Sequence, residues 1–304
     1  MKEYMFKITF IFAAATCWAL DSLFRYPLLG QGLSPVYIVW LEHLFLVLFL
    51  LPLVGINFLN RIKQISRNEV LAYIVIGFLG SGLATLAFTQ AFSLMNPTLV
   101  ILLQKLQPFV AHFFALWILK EKTPRFFLVY LLTALGGSIL LTVPDFNFHL
   151  LQNISMINDK TRLGLILTLI SILFWGMSTV FGKYLSLKNH STIQTMYGRF
   201  LFGFIYLSLH LFFVRQQIQF QLSHSQIGSV FSLVALSGLL GMWLYYQGMK
   251  QLTARQVALG ELFFPVAAVA INWFAFSITI NLQQILGATM LVGASFLFMN
   301  KNSQ

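Results

Sequence analysis

Long apolar runs separated by short polar breaks follow one another along almost the entire chain. A helix that crosses a bilayer needs about 20 mainly apolar residues. Ten stretches reach that length: 7–28, 36–56, 69–92, 97–119, 124–143, 162–184, 193–214, 226–249, 254–276 and 281–299. The breaks carry turn residues, as in Asn96-Pro97 and Thr123-Pro124. The longest polar stretch, 144–161, contains Asn147, Asn153, Asn158 and Asp159 and reads as a linker between residues 1–143 and 162–304. The pattern predicts an all-α integral membrane protein with ten transmembrane helices.

Composition removes the soluble alternative. Of 304 residues, 58% are hydrophobic and only 9% charged, against about 25% charged in a soluble domain. The net charge of +11 comes from placement. With the N-terminus inside, the cytoplasmic segments hold Lys2, Lys7, Arg61, Lys63, Arg67, Lys120, Lys122, Arg125, Lys183, Lys188, Lys250, Arg255 and Lys301. The outer loops hold Lys160, Arg162 and Arg215, and Arg25, Lys105 and Arg199 lie within helices. Cations mark the cytoplasmic side of membrane proteins, so both termini are expected there, in the cytoplasmic membrane. With the cations explained by topology, no residues remain for a nucleic-acid partner.

Cys17 is the single cysteine, which excludes a disulfide framework. Thr16 and Trp18 fit a lipoprotein cleavage site badly, so Cys17 is expected to be a buried thiol in an uncleaved helix. No HExxH, Walker A, GxGxxG or nucleophile-elbow pattern stands in a usable context. The histidines are too scattered for a metal site. No cofactor, metal, catalytic residue or nucleotide-driven engine is therefore expected. Asn153-Ile154-Ser155 is a glycosylation sequon, meaningful only in a secretory-pathway host.

Shifting the sequence by 157 residues aligns its two halves without a gap. Trp18 falls on Trp175, Phe24 on Phe181, Ser34 on Ser191, Phe45 on Phe202, Ser66 on Ser223, Gln90 on Gln247 and Pro108 on Pro265. Five helices per half is an odd number, so the second copy runs through the membrane inverted. Inverted repeats are characteristic of transporters, in which exchanging the conformations of two halves converts an outward-open into an inward-open form.

These residues also carry a family resemblance. Trp18-Ala19-Leu20, Trp175-Gly176-Met177, Ser34-Pro35, Arg199-Phe200, and Pro108 with Leu119-Lys120-Glu121-Lys122 resemble the drug/metabolite transporter superfamily in its ten-helix form with two EamA-type domains. The resemblance spans residues 8–299. Two departures stand out: Glu42-His43 replaces the usual Arg-Phe, and Ser277-Ile278-Thr279 stands where a Glu is expected. The resemblance implies a cavity among helices 1–4 and 6–9. Helices 5 and 10 would lie outside it, with a homodimer contact as one role for them. Gly136-Gly137 and Gly287 through Gly293 permit close backbone approach there.

Charges inside a membrane are costly and usually face a cavity or a partner. Six qualify: Asp21, Arg25, Glu42, Lys105, Arg199 and Glu261. Helix rise places Asp21, Arg25, Glu42, His43 and Lys105 in an outer cluster and Arg199 with Glu261 in the inner half. Asp21 is expected at the cavity, with Arg25 as its i,i+4 partner reaching toward the headgroups. Glu42 with His43 reads either as a proton relay or as a salt bridge from Glu42 to Lys105 or Arg25. Substrate contacts are expected from Trp18, Asp21, Glu42, His43, Gln90, Lys105, Trp175, Tyr197, Gln247 and Glu261. For the matched glutamines, interhelical bonding is the alternative, as packing is for the aromatics. Proton coupling falls to Glu42, His43 or Glu261. Arg25, Arg199, Pro108 and Pro265 are expected to serve structure or gating, the prolines by bending helices 4 and 9. His112 and His210 read as structural.

The function expected is secondary transport of a small polar metabolite by alternating access. The mixed charges suggest a zwitterion such as an amino acid, and the resemblance favours export. The competing classes are an intramembrane lipid-modifying enzyme and a non-transporting sensor or assembly subunit. The enzyme needs its ionisable groups to converge at one interface, and the sensor predicts no central polar cavity.

Overall fold

A computed structural model describes residues 2–62, 65–95, 97–142, 159–215, 221–276 and 281–301. Most of the 144–161 linker, with its sequon, and Ser277-Ile278-Thr279 lie outside the described residues. The described secondary structure is entirely helical. Its spans are α1 (Lys2–Gly30), α2 (Pro35–Ile62), α3 (Arg67–Leu94), α4 (97–118), α5 (Phe127–Thr142), α6 (Asp159–Leu187), α7 (Thr192–Val214), α8 (His224–Gln251), α9 (254–276) and α10 (Leu282–Lys301). Ten membrane helices built as two repeats therefore form the protein. Side chains such as Trp117, Phe212, Phe213 and Phe274 turn outward, as a lipid solvent permits.

Helix starts follow from local sequence. Ser66 with Glu69, Ser191 with Gln194, Ser223 with Gln226 and Thr253 with Gln256 each form a capping box. Each box satisfies two backbone donors that have no partner within the helix. Under the 157-residue shift the Ser66 box coincides with the Ser223 box.

Two irregularities recur in both repeats. α3 widens into π-turns over Ile74–Leu83 and α8 does so over Val234–Gly241. α4 is interrupted between Pro97–Gln104 and Gln107–Ile118, and α9 between Ala254–Glu261 and Phe264–Phe276. Pro108 and Pro265 follow these breaks and have no N–H. The carbonyls four residues earlier, of Gln104 and Glu261, therefore lose their helical donors. At both places the backbone passes through a tighter turn, with Lys105 N–H donating to the Leu102 carbonyl and Leu262 N–H to the Leu259 carbonyl.

The repeats interlock. α1 packs on α8 and α9 of the other repeat, and α6 packs on α3 and α4. α2 lies against α7, and α5 against α10. A Cβ on Gly137 would stand 2.5 Å from the Gly287 carbonyl, and one on Gly287 would stand 2.6 Å from that of Gly137. The close backbone approach that these glycines permit is made here between α5 and α10. None of the described residues of α5 and α10 lines the cavity described next.

Candidate functional site

A cavity of about 650 Å³ lies between the repeats. Its wall repeats with the sequence: Trp18 and Trp175, Ser22 and Thr179, Glu42 and Arg199, Phe88 and Tyr245, and Gln104 and Glu261 all line it as matched positions. The aromatic walls combine one helix from each half. Trp18 meets Tyr245 at 5.3 Å between ring centroids, and Trp175 meets Phe88 at 4.8 Å.

One polar group is centred on Arg25. Its Nε donates to Asp21 Oδ1 at 2.8 Å, and its Nη2 donates to Asp21 Oδ2 at 2.7 Å and to Glu42 Oε2 at 3.0 Å. Ser237, from the π-turn of α8, stands 3.5 Å from Glu42 Oε1. The mirrored positions carry a simpler contact, in which Arg199 Nη1 donates to Ser178 Oγ at 2.8 Å. Positions 21 and 42 of the first repeat thus correspond to 178 and 199 of the second.

The helix breaks supply a second group. Glu261 Oε1 accepts from Tyr245 OH at 2.9 Å and from Thr179 Oγ1 at 3.2 Å, while its Oε2 accepts from Gln107 Nε2 at 2.5 Å. The Lys105 ammonium sits 4.6 Å above the Phe264 ring.

Trp18, Asp21, Arg25, Glu42, His43, Lys105, Pro108, Trp175, Arg199 and Glu261 share this one cavity. Residues counted from the outer and from the inner helix ends thus line the same cavity, and Gln107 of α4 reaches Glu261 of α9. Gln90 and Gln247 are half-buried off the wall, Tyr197 is buried in the core, and Pro265 lies behind its break. Arg25 does not extend toward the headgroups; its side chain is 14% exposed and turned onto its two carboxylates. Nor does Glu42 join His43. Successive helix positions diverge by about 100°, so His43 Nδ1 meets the Val39 carbonyl and its Nε2 meets Ser81 Oγ, each at 2.8 Å. Of the two readings for Glu42, the contact to Arg25 is the one formed. His112 stacks on Phe127 and His210 on Tyr206. Sequence reasoning alone misses Gln104, Ser178 and Thr179, although the 157-residue shift places them opposite Glu261, Asp21 and Ser22.

The cavity reaches the surface at Tyr26, which lines it, is 39% exposed and packs against Phe92; Thr89 and Ile101 also belong to the wall. Their repeat counterparts, Lys183, Tyr246, Met249 and Ala258, are packed shut. Lys183 Nζ donates to the Met249 carbonyl at 2.8 Å, and Arg255 donates to the carbonyls of Glu121 and Lys122. Between α3 and the α6–α7 turn, Glu69 Oε1, His190 Nε2, His190 Nδ1 and Tyr73 OH form a chain with contacts of 2.8 and 2.9 Å. Lys183 and Arg255 were counted as topology markers, yet both are buried ties.

Residues 5–143 and 162–300 each match the EamA-like transporter family. The riboflavin transporter ImpX of Fusobacterium nucleatum subsp. nucleatum is 30% identical over 283 residues, covering 92% of this chain and 92% of that protein. A protein of known crystal structure superposes with a TM-score of 0.75 over 100% of both chains at 13% identity, a likeness of fold alone.

Proposed function

Because the chain belongs to the EamA-like transporter family, we propose that it moves a flavin-class heterocycle, with riboflavin the first candidate, by alternation of its two repeats. The observation that carries this reading is the cavity itself. About 650 Å³ is walled by two cross-repeat aromatic pairs, with hydrogen-bonding groups between them. A planar ring matches such walls, since aromatic pairs gain about 0.5–1.5 kcal/mol beyond area burial. The riboflavin transporter of F. nucleatum supports the same substrate class. A free amino acid, suggested by the charge mix, is small for this volume and would have to compete with the Asp21–Arg25–Glu42 contacts already made.

The orientation proposed is that of the cation distribution, with both termini cytoplasmic and the open end of the cavity outward. Glu261 is the proposed coupling carboxylate, being the cavity carboxylate without an arginine partner among the described residues.

Radiolabelled riboflavin flux in proteoliposomes tests the reading. Saturable flux should be competed by unlabelled riboflavin and not by an amino-acid mixture, and Trp18→Ala and Trp175→Ala should each reduce it about tenfold. Glu261→Gln should keep substrate exchange while losing accumulation driven by a pH gradient. Reversing that gradient reads the direction of net transport, export being the one the family resemblance favoured. Flux competed by amino acids but not by flavins overturns the substrate assignment.

A further inference from the structure

The charged groups of the cavity are hydrogen-bonded by one another or by neutral neighbours, with the ammonium of Lys105 the exception among the described residues. Asp21 and Glu42 are held by Arg25, Arg199 by Ser178, and Glu261 by three neutral donors. Arg25 Nη1 and Arg199 Nε lack partners, but both belong to guanidiniums already anchored through other atoms. The break in α4 differs. Lys105 is 4% exposed, lines the cavity, and has no hydrogen-bond partner among the described residues. Gln104 Oε1 is enclosed and likewise has no partner among them. Gln107, 7% exposed, uses one amide hydrogen on Glu261 and retains a second.

We propose that residues 104–107 read an imide edge of the substrate, the carbonyl–NH–carbonyl face of a uracil-type ring. Lys105 donates to one carbonyl, Gln107 Nε2 donates to the other, and Gln104, whose Oε1 is enclosed in the unliganded cavity, turns that oxygen to the ring N–H. The proposal rests on the flavin-class reading, whose ring system carries this edge, and adds what distinguishes that ring from other planar solutes. The second repeat does not duplicate the arrangement: the shift places 104–107 on Glu261-Leu262-Phe263-Phe264. One repeat supplies the donor–acceptor–donor edge, and the other supplies a carboxylate and a ring that hold Gln107 and Lys105 in position.

A polar site of this kind discriminates strongly, because an analogue that cannot complete it leaves enclosed groups unpaired. Fluorescence titration of the purified full-length protein with riboflavin and N3-methylriboflavin is the test. The wild-type protein should bind the methylated compound at least about tenfold more weakly. Lys105→Met and Gln104→Leu should weaken riboflavin binding and lose most of the discrimination, whereas Lys105→Arg, which keeps the donor, should retain it. Equal wild-type affinity for the two flavins overturns the proposal without relying on any variant, and so does undiminished discrimination in both Lys105→Met and Gln104→Leu. Uridine and 3-methyluridine separate this outcome from failure of the flavin reading. Binding of uridine but not riboflavin, with the same methyl penalty, overturns the flavin assignment and supports the imide edge. Binding of neither overturns both.

Discussion

Arg25 holds two carboxylates at once, and its removal illustrates how unequal the partners of a buried ion cluster are. Arg25→Met leaves Asp21 and Glu42 facing one another without their cation. Breaking a buried pair in this way costs about 3–5 kcal/mol, whereas replacing the whole group by neutral residues is often tolerated. The variant is therefore expected to unfold at a clearly lower temperature in detergent. Asp21→Asn with Arg25→Met and Glu42→Gln should recover most of that loss; if Arg25→Met melts like wild type, the cluster does not stabilise the fold. The Asp21–Arg25 pair was legible from i,i+4 spacing. Glu42 as third member was one of several partners open to it, because spacing along one helix says nothing about which neighbour crosses it. His43 misled for a related reason. It adjoins Glu42 in sequence, but the helical twist turns it to Ser81 on α3. Gln90 and Gln247 show that an amide within an apolar helix need not face the cavity.

At the scale of helices, the interruptions were readable because proline has a fixed consequence, and Pro108 and Pro265 repeat at the same offset. The π-turns of α3 and α8 were not readable, since no residue type marks an extra residue in a turn. Close helix crossings announce themselves through glycine, and the α5–α10 contact gives a direct test. Gly137→Ala places a methyl within van der Waals distance of the Gly287 backbone. Overpacking of this kind costs about 1–3 kcal/mol. A lowered melting temperature with unchanged ligand affinity is expected, because neither helix reaches the cavity; a change in affinity of the same size would place the contact in the transport cycle. The closed end gives a second test. In a Cys17→Ala background, a cysteine at Met249 should resist an impermeant thiol reagent, and Lys183→Ala should raise its labelling severalfold by releasing the Met249 carbonyl. Unchanged labelling would show that Lys183 does not hold that end shut.

For the whole molecule, the repeat predicted the architecture, and the asymmetry between its copies distinguishes the two ends of the cavity. That asymmetry could not be read from sequence: Tyr26 and Lys183 occupy matched positions, and only packing reveals which is open. The proposed topology has its own measurement. A cysteine at Gly30 in the Cys17→Ala background should label from outside intact cells, whereas one at Asn189, with its left-handed φ of 60° in the α6–α7 turn, should label only after permeabilisation. The reverse result would invert the orientation.

The interlocked repeats also bear on how the chain is made. α1 ends at Gly30, but its main neighbours begin with α8 at His224. At about 5–20 residues per second, a ribosome takes roughly ten to forty seconds to cover that interval. During this time α1 waits in lipid with its future interface bare, carrying a carboxylate and a guanidinium. The Asp21–Arg25 contact lies wholly within α1 and needs no later helix. It can neutralise the newborn helix before Glu42, Ser237 and the rest of the wall arrive, so the first ion pair of the cavity serves the helix before there is a cavity.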